Sequence, residues 1–275
     1  MRIDYNSSPS RLGLAVLFSL LNLCVQCECK PRDLSFRNNP ALPEEATSEN
    51  EVTDEMLRQA KPYALLYGTL VAIRDKKPKN INEKDRKNYE GTVLHKAAEK
   101  GFVEIAKLLI KKGAKVDAQD KYAHTPLHVA AQHGQYEVAK ILLEAGANTN
   151  AKNKKKWTPL HCAARAGHTN VVELLATSGA DINAQEKKNK LTPLHLAVYG
   201  RYKEGKETKG AIRVLIKHGA NPKKKSKDPT IFPKCKGRRV LFRFGLTPAE
   251  LASSFDLREI NQLLEAAEKN FNPTS

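Results

Sequence analysis

Apolar residues along most of this chain fall in pairs of short helical stripes, and the pairs recur. The clearest copy runs from Lys121 to Ala147. Its first stripe follows Thr125-Pro126-Leu127-His128 and stops at Gly134, while its second carries Val138, Ile141, Leu142 and Leu143 and stops at Gly146. Spacings of three and four predict two amphipathic helices. The second-helix stripe reads Val103, Ile105, Leu108, Leu109 one copy earlier and Val171, Val172, Leu174, Leu175 one copy later. Each pair opens on a threonine, whose hydroxyl can accept from a free N–H of the first helical turn, and in most copies a proline follows where its missing N–H costs nothing. Nine residues on, Gly101, Gly134 or Gly167 ends the first helix; Gly113, Gly146 and Gly179, 21 residues on, suit the left-handed position that closes the second.

The threonines themselves give the period. Thr92, Thr125, Thr158, Thr192 and Thr247 are spaced by 33, 33, 34 and 55 residues, and a period in this range predicts a solenoid. Thr125-Pro-Leu-His128, Thr158-Pro-Leu-His161 and Thr192-Pro-Leu-His195, with Thr92-Val-Leu-His95 before them, match T-P-L-H-x-A. In these residues the C-terminal two thirds of the chain resembles the ankyrin-repeat family. The resemblance implies an all-α solenoid of stacked helix pairs whose Lys- and Asn-rich links are hairpin fingers. It also implies that His95, His128, His161 and His195 tie each helix start to the neighbouring finger, and that partners dock on finger tips and the concave face of the first helices. A buried Leu contributes about 1.5–3 kcal/mol and ordering a residue's backbone costs about 1–2 kcal/mol. A lone helix pair therefore roughly breaks even, and stacking makes it stable.

The same period divides the chain. Residues 1–27 are a candidate signal peptide, which predicts export: Arg2 and Arg11 precede an apolar run from Leu12 to Leu23, too short to span a membrane, and the alternative is an apolar N-terminal arm on an intracellular protein. Residues 28–50 read as a polar linker. Residues 51–90 read as a degenerate N-terminal capping repeat, with one helix from Thr53 to Ala60 and a second beginning at Pro62. Regular repeats are expected at 91–123, 124–156 and 157–190. A fourth, at 191–245, has six extra residues between Gly200 and Gly210 and sixteen more in its finger, the basic insertion 222–244. Residues 246–275 read as a C-terminal capping repeat, with capping boxes at Thr247/Glu250 and Asp256/Glu259. Within the insertion, alternation of Val240, Phe242 and Phe244 predicts a two-stranded flap turning near Lys236-Gly237.

Composition alters this picture only through charge. The net charge is +17, and the insertion carries nine Lys or Arg against Asp228, whereas residues 44–55 hold six acids and no base. Charge of this size attracts nucleic acid, anionic membrane or acidic proteins alike. Lys223, Lys224, Lys225, Lys227, Lys234, Lys236, Arg238, Arg239 and Arg243 are the candidate polyanion-binding residues. Lys223 to Lys227 could also serve as a nuclear import signal, although solvated loop charge is the plainer reading.

Candidate chemistry is thin. Cys24, Cys27 and Cys29 lack a histidine nearby and fall at the end of the signal segment, so no zinc site is expected. Cys162, directly after a T-P-L-H motif, is expected to be buried and inert, and no disulfide framework is implied. Gly200-x-x-x-x-Gly205-Lys206 imitates a phosphate loop, but Glu207 stands where Ser or Thr must hold magnesium and no strand precedes it. No catalytic residue, metal or cofactor is expected. The reading is a monomeric, non-catalytic module that binds an unidentified protein. Following the family's docking surface, its contact residues are Tyr89, Glu99, Lys100, Tyr122, His124, Gln132, His133, Lys155, Trp157, Arg165, Leu191 and Tyr199, with Asn189 alongside them. Tyr, Trp and Arg are the types that most often anchor interfaces.

Overall fold

The computed structural model describes residues 52–76, 80–86, 89–204, 207–227 and 245–271. The candidate signal segment 1–27, the expected linker 28–50, Cys235 and the predicted flap lie outside them. Twelve helices occur among the described residues: α1 (Asp54–Ala60), α2 (Ala64–Arg74), α3 (Val93–Lys100), α4 (Val103–Lys111), α5 (Pro126–His133), α6 (Tyr136–Glu144), α7 (Pro159–Ala166), α8 (Thr169–Thr177), α9 (Pro193–Glu204), α10 (Lys209–Lys217), α11 (Pro248–Ser254) and α12 (Arg258–Asn270). Two strands of two residues, β1 (Lys84–Asp85) and β2 (Gly91–Thr92), pair antiparallel with Lys84 opposite Thr92.

The helices form an all-α solenoid. Helices α3, α5, α7, α9 and α11 stack in one row, and α4, α6, α8 and α10 in a second row behind them. The core is one strip running through the stack. Leu94, Leu127, Leu160 and Leu194 from the first helices meet Leu109, Leu142, Leu175 and Leu215 from the second, all essentially closed to solvent. A polar ladder ties successive repeats. Asn150 donates from Nδ2 to the Gly179 carbonyl (3.1 Å) and accepts the Asp181 N–H (2.7 Å). Asn82 and Asn183 make the same two bonds in other layers, to Gly113 and Lys115 and to Gly219 and Asn221. Side chains between paired helices also reach back one repeat, Gln135 to the Glu99 carbonyl (3.3 Å) and His168 to that of Gln132 (3.1 Å).

Departures from the pattern have physical causes. Helix α2 starts at Ala64, not Pro62, because Lys61 and Pro62 form the turn that follows α1. Part of the six-residue excess after Thr192 is absorbed by lengthening: α9 has 12 residues where α3, α5 and α7 have 8. Thr208 then stands before α10 where Gln135 and His168 stand before α6 and α8. The predicted capping box at Asp256/Glu259 does not form. Asp256 adopts φ +57° and Leu257 becomes the N-cap, with no side-chain cap bond. Nine residues after Thr247, Asp256 occupies the left-handed reversal that Gly101, Gly134 and Gly167 fill elsewhere, a conformation aspartate tolerates better than most residues.

Candidate partner-binding surface

Each finger is folded by one polar side chain at its base. Asp120 Oδ1 accepts the N–H groups of Tyr122 (2.8 Å) and His124 (2.7 Å), and Asn153 Oδ1 accepts those of Lys155 and Trp157 (both 2.9 Å). The main chain closes the same turns, Asp120 N–H to the His124 carbonyl and Asn153 N–H to that of Trp157, both at 3.0 Å. In the third finger Glu186 replaces them, its carboxylate accepting from Lys188 and Asn189. Glutamate lies one residue further from its threonine than Asp120 or Asn153 do, so the single extra residue of the 34-residue period sits inside the finger. Ser226 does this at the fourth finger, accepting the Leu246 N–H at 3.0 Å while its own N–H reaches the Leu246 carbonyl at 2.9 Å. Neighbouring fingers are bonded in series, Lys121 N–H to Tyr89 carbonyl (2.9 Å), Lys154 to Tyr122 (3.0 Å) and Lys187 to Lys155 (2.9 Å).

The motif histidines join fingers to helices. His128 Nδ1 accepts the Thr125 N–H (3.2 Å) and lies 2.9 Å from its hydroxyl, so the ring proton is on Nε2, which donates to the Trp157 carbonyl (2.9 Å). His95, His161 and His195 repeat this toward the carbonyls of His124, Leu191 and Leu246. Burial holds His128, His161 and His195 at about 4, with the bond to the carbonyl opposing the shift, and lowers His95 in the same way. At Thr247 a glutamate takes over: Thr247 N–H donates to Glu250 (2.8 Å) and the Thr247 hydroxyl accepts the Glu250 N–H (3.2 Å). Cys162 is buried, its thiol pushed up to about 12, so it stays protonated at neutral pH.

Two adjoining clefts open between fingers and first helices. A central cleft of about 620 Å³ is lined by Tyr122, His124, Gln132, His133, Asn153, Lys154, Lys155, Trp157, Cys162, Arg165 and Ala166. An N-terminal cleft of about 890 Å³ shares Tyr122, His124, Gln132 and His133 with it and adds Tyr63, Tyr89, Glu83, Asp85, Lys96, Glu99 and Asp120, among others. Among the described residues Tyr89 and Tyr122 are the most exposed large apolar side chains, at 61% and 45%. Their rings lie 5.7 Å apart with Lys121 Nζ over both, 4.5 and 5.0 Å from the centroids. Trp157 is half-buried, stacked on His161 at 6.4 Å, with Lys155 and Arg165 over its ring at 5.6 and 5.4 Å.

Residues 63–153 and 145–226 match the family described as ankyrin repeats, three copies, together more than half of the chain. The chain belongs to the ankyrin-repeat family. No curated protein matches it. Ankyrin repeats generally mediate protein–protein interaction, and the family is typically non-catalytic. Of the contact residues expected from the sequence, Tyr89, Glu99, Tyr122, His124, Gln132, His133, Lys155, Trp157 and Arg165 line one or both clefts of this ankyrin array. Lys100 is exposed beside them, paired with Glu99 at 2.9 Å. Glu99 also meets Lys96 at 2.5 Å; burial would raise its carboxyl, but the two lysines hold it below the usual range.

Three expected residues belong elsewhere. Leu191 is buried at 5% exposure, and its carbonyl accepts from His161 (3.3 Å) and from the Glu186 N–H (3.0 Å). Asn189 is buried beneath the same finger. Tyr199 lies outside both clefts, packing on Phe255 at 6.5 Å and near Arg165 at 5.9 Å. Conversely, Lys154 and Lys96 line the clefts but fall outside the window of positions just before each threonine and seven to eight after it. A window covering the whole finger tip, which the charge run Lys154-Lys-Lys156 marks, would have included Lys154. Of the candidate polyanion residues, Lys223, Lys225 and Lys227 are exposed and Lys224 is half-buried. Lys234, Lys236, Arg238, Arg239 and Arg243 lie outside the described residues.

Proposed function

We propose that this chain is a monomeric, non-catalytic interaction module that captures a partner protein through its finger tips and the concave face of its first helices. The observation that carries the reading is the exposed Tyr89–Tyr122 pair at the lip of clefts walled by Trp157, Gln132 and His133. Tyr and Trp combine large buried area with few torsions to freeze. Full-length protein used as bait in nuclease-treated extract, washed at two salt concentrations, should retain a discrete protein at the higher one. Tyr122→Ala with Trp157→Ala should lose that protein while keeping an unchanged helical spectrum; retention by the double variant would sink the proposal.

A second reading, polyanion binding through the basic fingers and residues 222–244, draws support from the finger-to-finger bonds, which set exposed Lys121, Lys154, Lys155, Lys187 and Lys188 in a row. It predicts a salt-labile, nuclease-sensitive mixture on the bait, lost on deleting 223–244, because phosphate contacts weaken steeply with salt. We further propose that the segment 1–27 directs export. Mass spectrometry of the native protein should then find a mature N-terminus at Glu28, and an intact Met1-containing chain would exclude cleavage there.

A further inference from the structure

Charge changes sign along the shared groove. None of the residues lining the central cleft is acidic, and Lys154, Lys155 and Arg165 are among them. Lys154 and Lys155 are exposed and make no ion pair among the described residues. The adjoining cleft is lined by Glu83, Asp85, Glu99 and Asp120 against Lys96; Glu99 is paired with Lys96 and Lys100 and Asp120 faces His124, so only part of that negative charge is open to a ligand. Tyr122, Gln132 and His133 border both, so one ligand can run through them without leaving the groove. Where the two clefts meet the wall is aromatic and polar, made by Tyr122, His124, Gln132 and His133, with Trp157 on the central side and Val129 on the other.

We infer that the groove receives an extended segment of a partner protein that sets a carboxylate, flanked by an apolar side chain, into the central cleft against Lys154 and Lys155, and continues with neutral or basic residues into the N-terminal cleft. The inference rests on the protein-binding reading above and adds the chemistry of the partner. A nucleic acid bears a negative charge at every nucleotide, so the strand leaving the lysine cleft would meet Glu83 and Asp120. A polypeptide changes sign from residue to residue and avoids that repulsion. Complementary potentials of this kind fix the direction in which a segment lies as well as its choice.

Trp157 is the only tryptophan of the chain, so its emission reports on the central cleft alone. Full-length protein would be titrated with tryptophan-free, capped ten-residue peptides: one with two glutamates and a leucine at one end and two lysines at the other, one all-glutamate and one all-lysine. A single-stranded oligonucleotide of equal length completes the set. The bipolar peptide should change Trp157 emission saturably and bind at least ten-fold more tightly than the all-lysine peptide. Lys154→Glu with Lys155→Glu should weaken it at least ten-fold, with the melting midpoint unchanged since both side chains are exposed. A response to the oligonucleotide alone, no saturable response to any peptide, or indifference to the double charge reversal would each overturn the inference. A captured protein that is lost from Tyr122→Ala/Trp157→Ala but held by the double charge reversal would leave the interaction reading standing and remove only its charge assignment.

Discussion

Each motif histidine works as a neutral bracket, with Nδ1 accepting at its own helix start and Nε2–H donating to the next finger. A proton on Nδ1 would break the first bond, and burial makes it costly. His128, His161 and His195 are held at about 4 in the folded chain, against 6.5 for an ordinary imidazole. The unfolded chain therefore takes up protons first as pH falls. Stability from these groups is fully present above pH 6.5 and is lost progressively from 6.5 down to about 4. A tenfold difference in proton affinity between the folded and unfolded chain is worth about 1.4 kcal/mol, so each histidine costs on the order of 3 kcal/mol across that window. Three such groups rival a typical domain's whole stability of about 5–15 kcal/mol. The urea midpoint should fall steeply between pH 7 and pH 5 and stay level above pH 7; a level profile through pH 5 would contradict neutral burial. Strain at single residues lies two positions before Thr92, Thr125, Thr158 and Thr192, where Glu90, Ala123, Lys156 and Lys190 have φ between +58° and +63°. A left-handed conformation costs a non-glycine residue about 1–2 kcal/mol, partly offset by glycine's greater unfolded-state freedom. Ala123→Gly should therefore raise stability by about 0.5–1 kcal/mol in denaturant titration.

The elements show where local rules hold and where the stack overrides them. Thr53 caps α1 as its type predicts, accepting the Met56 N–H at 3.2 Å. Asp256 does not cap α12, because the repeat needs a reversal at that position more than a cap. Gly200 is a second such case: it sits inside α9, where glycine costs helix stability. A Cβ there would lie 2.0 Å from the Arg165 carbonyl oxygen of α7, so only glycine allows the two helices their closeness. Gly200→Ala should push α9 off α7 and lower stability by about 1–3 kcal/mol. An unchanged midpoint would mean that the two helices are further apart than this.

At the scale of the molecule, the substantial packing among the described residues runs between neighbouring layers, so stability is close to a sum over repeats and their interfaces. Excising residues 124–156 removes one 33-residue period and sets equivalent groups against each other: His95 Nε2 would meet the Trp157 carbonyl in place of that of His124. Circular dichroism should show a folded helical chain with a lower melting midpoint. Loss of helical signal would argue for coupling beyond adjacent repeats. The same excision removes His124, Gln132 and His133, which line both clefts, so partner capture should be lost while folding survives.

The helix pairs and the all-α solenoid they build were legible in the sequence, because threonine caps, reversal glycines and apolar spacing each act over a few residues and recur at a fixed interval. Much of the central cleft's lining falls at fixed offsets from each threonine, whereas most of the N-terminal cleft's lining does not. Tertiary structure alone decided which of those side chains face out. Leu191 is buried where His124 and Trp157, at the equivalent positions, are half-buried, and Tyr199 packs on Phe255, from a turn more than fifty residues away. It also decided the change of charge along the groove, since Glu83, Glu99 and Asp120 come from two fingers and a helix that no local pattern connects. Fixed short-range preferences repeat with the sequence, whereas exposure and electrostatic surroundings depend on which layers stack beside each residue.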